Sequence, residues 1–317
     1  MGWHPRGMIF DVREWSHHPA VGSFAQSPQA LVLDDSVRVY FSTRTPDGGA
    51  GSWRSDIAFA EFSLDFSELV GEPRGDVITP GELGCFDEHG IFPFSVVPVG
   101  EEVWAYTTGW SRRQSVPVET GIGLAVSRDG GLTFERRGLG PVLSSSLHEP
   151  FLVGDGLVRQ IDGRWLMWYL FGTGWTSEPT TGDVERTYKI GVATSPNGID
   201  WAPAQGRCAI PDRLGPAEAQ ALPSVFDMDG ELHMVFCYRE SFDFRTNPQR
   251  GYRLGHAVSR DGLAWSRDDA PVEFPRLEFD SDMRCYPHVV TVGDRHFLLY
   301  NGNEFGRWGF GVSEWTT

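Results

Sequence analysis

A chain of 317 residues with 40% hydrophobic and 13% aromatic content can bury a large core, as one large all-β domain or two smaller ones, which excludes a disordered polypeptide. Its formal charge of −16, from 43 acidic against 27 basic residues, repels phosphate backbones and anionic surfaces, so neither nucleic acid nor a membrane is an expected partner. Residues Met1 to Gly7 carry no apolar core behind basic residues, and no stretch approaches the roughly 18 apolar residues of a membrane span. Cys85, Cys208, Cys237 and Cys285 lack the close spacing of zinc or redox motifs, so reduced thiols and a cytoplasmic location are expected.

In chain order, Met8 to Val12 reads as a lone strand, and a repeating unit follows at intervals of about 65 residues. Pro28 to Asp35 leads into Val37–Phe41, and Pro93 to Val97 runs through Gly100 into Val103–Tyr106. The third copy lacks the proline but passes from Leu157 through Asp162-Gly163 into Trp165–Tyr169. Pro223 to Gly230 precedes Leu232–Phe236, and Pro287 to Val290 precedes Phe297–Tyr300. The second half of the unit is Gly123 to Gly130, Gly191 to Gly198 and Gly255 to Gly262, each ending in Asp-Gly or Asn-Gly and followed by Phe134, Trp201 or Trp265. Such pairs suit hairpin turns that need positive φ between β-branched and aromatic strands.

No useful length carries a helical period, so the expectation is an all-β, five-bladed β-propeller with four-stranded antiparallel blades over approximately 23–80, 87–143, 149–209, 218–275 and 280–317 plus 7–13. The tail after the fifth copy, Gly309 to Trp315, is long enough for a third strand and no fourth, which leaves the N-terminal strand to close the ring. The Ser-x-Asp-Gly-x-x-x-aromatic pieces resemble the Asp-box of sialidases, which implies a structural turn remote from the active site.

In such a blade the innermost strand begins on the face where the second strand ends, so polar residues at both places share one end of the central channel. Before the first strands stand Asp87-Glu88-His89, His148-Glu149, Glu218, and Asp282 with Arg284 and Tyr286; after the second strands stand Arg44, Trp110, Trp175, Arg239-Glu240, Asn301 and Asn303. Carboxylates crowded at a channel mouth raise one another's pKa, which separates a general acid from an ionised partner. Aromatic walls with a few directed polar groups suit a sugar ring. A carboxylate beside an arginine can equally do no more than hold two blades together. No ligand spacing supports a zinc site, and no cofactor is expected, although carboxylates in the channel are compatible with a cation such as calcium. Arg112, Arg113, Arg186, Arg245 and Arg250, on long insertions at the same face, are compatible with a carboxylate- or phosphate-bearing substrate despite the acidic total.

At these residues the chain resembles the five-bladed propeller glycosidases, the superfamily of arabinanases, β-xylosidases, invertases and levansucrases, and the related mannoside phosphorylases. The resemblance implies that Glu149, in His148-Glu149-Pro150, stabilises the transition state and that Glu218 is the general acid. Where the superfamily has an Asp-Pro carrying base or nucleophile in blade one, this chain has Ser27-Pro28. Two-carboxylate hydrolysis requires a second carboxylate about 5 Å from the acid for retention, or roughly 6.5–9.5 Å for inversion. Asp87 or Glu88 in Phe86 to Gly90, Asp282, or a bound phosphate would have to replace it. Three readings follow: a glycosidase or glycosyl-transferring enzyme acting on a small sugar or sugar conjugate, a non-hydrolytic acid–base enzyme (cyclase, lyase or isomerase) in the same pocket, and a non-catalytic carbohydrate-binding propeller.

Overall fold

The computed structural model describes residues 2–49, 52–177 and 182–316. Among them, strand β1 (Gly2–Asp11) stands alone at the start. Blade one comprises β2 (Ser23–Val32), β3 (Ser36–Pro46), β4 (Trp53–Ser63) and β5 (Leu69–Arg74). Blade two comprises β6 (Ile91–Val99), β7 (Glu102–Arg112), β8 (Val118–Ser127) and β9 (Glu135–Arg136). Blade three has β10 (Val153–Ile161), β11 (Arg164–Ser177) and β12 (Val184–Ser195), with a single bridge between Thr194 and Ala202 where a fourth strand would lie. Blade four has β13 (Ala219–Met228), β14 (Glu231–Arg239), β15 (Arg253–Ser259) and β16 (Ser266–Arg267). Blade five has β17 (Cys285–Val292), β18 (Arg295–Asn301) and β19 (Gly309–Thr316). Its fourth, outermost strand is β1, paired antiparallel with β19 from Gly2–Thr316 to Asp11–Gly309. The ring therefore closes through the N-terminal strand.

Each innermost strand packs on the next: β2 on β6, β6 on β10, β10 on β13, β13 on β17 and β17 on β2. Period-two side chains explain why this ring is stable. On β3, Val37, Val39 and Phe41 enter the core shared with blade five, whereas Tyr40 enters the core shared with blade two. On β11, Trp165, Met167, Tyr169 and Phe171 face blade two while Leu166 and Trp168 face blade four. The second strands are apolar on both faces because both faces are covered, and five such inter-blade cores encircle the axis.

The Asp-box turns lie at the opposite end from the mouth, between third and fourth strands. In blade two Ser127 Oγ accepts from the Gly131 amide at 2.8 Å, and Asp129 Oδ1 accepts from Leu132 and Thr133 amides, both at 3.0 Å. Asn197 and Asp261 bind the corresponding amides in blades three and four. These turns also receive a latch from the preceding blade: Tyr40 donates to the Gly131 carbonyl at 2.6 Å, Tyr106 to Gly198 at 2.8 Å and Trp168 Nε1 to Gly262 at 2.9 Å. The motif is a structural turn. All four cysteines are free, and no helix among the described residues is long and apolar enough to cross a membrane.

Candidate functional site

The mouth is shaped by one irregularity repeated in every innermost strand. Each loses register with its second strand, between Gln26 and Gln29, Ile91 and Phe94, Gly154 and Leu157, Ala221 and Ser224, and Cys285 and His288, and β2 has a further shift between Ser23 and Gln26. The residues within these bulges are Ser27-Pro28, Phe92-Pro93, Asp155-Gly156, Leu222-Pro223 and Tyr286-Pro287. Ser27, Asp155, Leu222 and Tyr286 all adopt φ between +49° and +56°, while blade two uses a cis Phe92–Pro93 bond. Left-handed backbone at non-glycine residues costs on the order of 1–3 kcal/mol each and is retained where surrounding structure holds it, commonly beside a functional pocket.

Directly outside the bulges, the carboxylates that precede the first strands are tied into the blades. Asp87 Oδ2 meets Arg136 Nε at 2.7 Å and Nη2 at 2.6 Å. Glu218 Oε1 meets Arg267 Nη1 at 2.7 Å, and its Oε2 accepts the Arg213 and Leu214 amides, both at 2.8 Å. Arg136 and Arg267 are corresponding residues, each two after the Asp-box aromatic, on the outermost strand of its blade. Blade three, which lacks that arginine, uses Tyr169, whose hydroxyl donates to Glu149 at 2.9 Å, together with the Gly206 amide at 2.9 Å. In blade five Asp280 binds Arg284 Nε at 2.6 Å and accepts from Tyr300 at 3.0 Å. Glu149 and Glu218 are wholly buried, and neither lines the cavity at the channel mouth.

That cavity has a volume of about 880 Å³. Of the residues singled out from the sequence, Arg44, Trp110, Asp282 and Tyr286 line it, as do the insertion arginines Arg112, Arg186 and Arg245. Arg113 and Trp175 line a separate hollow of about 530 Å³ next to blade three. His89 stands behind Trp110 with ring centroids 5.5 Å apart, and Glu88 lies 3.3 Å from its Nδ1. His148 is exposed away from the cavity. Arg239 is buried under Phe244, 3.6 Å from the ring centroid, and donates to Tyr188 at 3.1 Å; Glu240 lies 3.9 Å from Arg250. Arg284 is consumed by Asp280 and two carbonyls. Asn301 donates to Ala25 and Gly309 carbonyls and accepts from Ser27, stitching blade five to blade one. Asn303 Oδ1 accepts the Asp282 amide at 2.8 Å and so positions that carboxylate.

The cavity also gathers residues that the repeat did not single out. Phe24, Phe92, Phe244 and Phe305 complete its aromatic walls, with Gln26 between them. Phe92 and Tyr286 enter it from their bulges, and Asp155 occupies the same position in blade three. Asp155 Oδ2 accepts the Leu222 amide at 3.2 Å. Burial pushes its carboxyl up to about 7, against the opposing pull of that amide and of the Arg186 charge. The sequence signal was the alignment itself: Asp155 stands where other copies have the residue before proline. Among the described residues no three His, Cys, Asp or Glu side chains converge as a metal-binding group.

Chemically, this mouth offers flat apolar surfaces for a ring, guanidinium donors for anions, and the carboxylate of Asp282. Fold and mouth together define the class: a five-bladed β-propeller with a pocket at one end of its axis. A glycoside hydrolase structure superposes with a TM-score of 0.72 at 14% identity, covering 99% of this chain and 92% of that one. A putative glycosidase from Bacteroides thetaiotaomicron gives 0.68 at 16% identity over 99% and 96%. A structure from the GH130 family of mannoside phosphorylases, which contains glycoside hydrolases that target β-1,2 mannosidic linkages in Candida mannan, gives 0.66 at 16% identity over 93% and 85%. At these identities the likeness is one of fold. No protein-family model matches the chain. Sequence likeness is closer to two Mycobacterium tuberculosis proteins, uncharacterized protein Rv1502 of strain H37Rv and uncharacterized protein MT1551 of strain CDC 1551, each 31% identical over 319 residues and 99% of both chains. The chain belongs to the family of these mycobacterial proteins.

Proposed function

We propose that the chain is a glycosidase-type enzyme acting on a small sugar or sugar conjugate, with the axial cavity as its active site. The observation that carries this reading is the cavity itself: aromatic walls, several arginines and the Asp282 carboxylate meet on the face where all five innermost strands begin. The glycoside hydrolases that share the fold support it. In this reading Asp282 is the carboxyl that moves protons, while Glu149, Glu218 and Asp87 hold the rim in shape.

The test is turnover of aryl glycosides and natural glycoconjugates by the purified protein and its variants. Asp282→Asn is expected to lose at least about a hundredfold in kcat, in line with loss of a general acid or base. Glu218→Gln is expected to keep its kcat while melting earlier. A Glu218→Gln protein with unchanged Tm and abolished turnover would return the acid role to Glu218 and sink this assignment.

One observation favours a second reading. Of the two carboxylates lining the cavity among the described residues, Glu304 is engaged by Arg307 at 3.0 Å and Trp308 Nε1 at 3.1 Å, which leaves Asp282 without an opposed partner at the cavity wall. Two-carboxylate hydrolysis needs such an opposed pair. An acid–base reaction without water, such as an elimination or isomerisation, needs only one well-placed group. Incorporation of labelled oxygen from water into product separates the two.

A further inference from the structure

The chain as a whole is strongly acidic, yet its cavity is not. Among the described residues five arginines line it, Arg44, Arg112, Arg186, Arg245 and Arg307, against the carboxylates of Asp282 and Glu304. Three of the five are committed: Arg112 to Asp47 at 3.1 Å and the Trp53 carbonyl at 2.7 Å, Arg245 to Glu185 at 3.2 Å, and Arg307 to Glu304. Arg44 is different. Its guanidinium lies over the Phe24 ring at 4.1 Å, its Nε donates to Gln26 at 3.2 Å, and no carboxylate among the described residues meets it. Gln26 in turn donates to the Phe305 carbonyl at 2.6 Å, so the side chain is held in place rather than left to sway.

Arg245 lines the same cavity from the blade-four insertion, 4.4 Å over the Phe244 ring and 5.6 Å over the Phe305 ring, while Arg44 lies on Phe24. Burial lowers the Arg44 pKa against an opposing pull from Tyr286, and the Arg245 charge adds a smaller lowering. A half-buried guanidinium such as Arg44, with no carboxylate beside it among the described residues, loses energy in the empty protein and regains it when an anion meets it, and the Arg245 charge on the same cavity adds to that attraction.

We propose that the ligand of this cavity is an anionic sugar, carrying a carboxylate or phosphate group that is bound by Arg44 with help from Arg245 on the same cavity. This inference rests on the reading of the cavity as a sugar site and names the class of sugar it takes. The planar fork of arginine matches either oxyanion in a bidentate way, so the shared chemistry is an oxyanion on a pyranose-sized body.

Calorimetric titration with four probes tests it: glucose, glucuronate, glucose 6-phosphate and inorganic phosphate, at low and high salt. Glucuronate or glucose 6-phosphate is expected to bind at least about tenfold more tightly than glucose, with affinity falling as salt rises, and which of the two binds identifies the oxyanion. Arg44→Gln and Arg245→Gln, each checked for an unchanged melting transition, are expected to weaken that binding about tenfold or more. Glucose binding as tightly as its anionic relatives overturns the proposal and leaves the sugar site standing. Inorganic phosphate binding as tightly as glucose 6-phosphate keeps the anion site and overturns the sugar reading. Absence of binding by every anion, or binding untouched by both substitutions, overturns the proposal outright.

Discussion

Asp155 and His288 are buried ionisable groups whose folded protonation opposes their behaviour in water, and their pH signatures run in opposite directions. Burial pushes Asp155 up from 3.8 to about 7, so between those values the folded chain holds a proton the unfolded chain has lost, and stability falls as pH rises through that window. Asp155→Asn removes the ionisation and keeps an oxygen for the Leu222 amide. Urea melts are expected to show it more stable than the parent by up to about 4 kcal/mol at pH 8 and little different at pH 4. His288 is pushed down from 6.5 to about 4 by burial alone, so the unfolded chain takes up the proton first. Its contribution, about 3 kcal/mol, is present above pH 6.5 and is lost as pH falls towards 4; His288→Gln is expected to flatten that acid limb. Glu218→Gln leaves the Arg267 guanidinium with Asp269 and carbonyl partners only, for an expected loss of about 1–3 kcal/mol by thermal melting. From the sequence, Glu218 and Glu149 are carboxylates at the right place in the repeat. Only the coordinates show their lone pairs already occupied, because the arginine that fills one of them lies 49 residues away.

At the scale of elements, the alternating aromatic second strands were legible because their period of two is local and is enforced from both sides by neighbouring blades. The Asp-box turns were legible for the same reason: Ser127, Asp129 and the glycine that follows bind amides only two to four residues away. What the motif does between blades was not local. Tyr40→Phe deletes the hydroxyl that latches blade one to the Gly131 carbonyl and is expected to cost about 1 kcal/mol, measured by chemical denaturation, with no change in ligand binding at the far end of the axis. The bulges were half legible. Prolines mark four of the five, but proline alone does not reveal that Ser27, Leu222 and Tyr286 turn to positive φ, or that Phe92 and Tyr286 reach the cavity from their bulges.

Over the whole molecule, closure depends on the pairing of β1 with β19, where Trp3 and Phe10 are 3% and 1% exposed and fill the cores on either side of blade five. Deleting residues 2–11 removes both side chains and opens the two cores they fill, at roughly 1.5–3 kcal/mol each before the lost ladder is counted. The truncated chain is expected to lose its cooperative melt and to elute as larger species on gel filtration. Five units, their strand order and the closing role of the N-terminal strand follow from the sequence by itself, since repetition, hairpin turns and a tail short of one strand are properties of neighbouring residues. Membership of the mouth was decided by tertiary structure. Arg44, Phe92, Asp282 and Phe305 come from blades one, two and five and share a wall only once the ring is closed, while Glu149 and Glu218 turn away to bonds formed inside blades three and four. Which polar groups stay free to meet a ligand depends on which partners the closed ring brings to the rest.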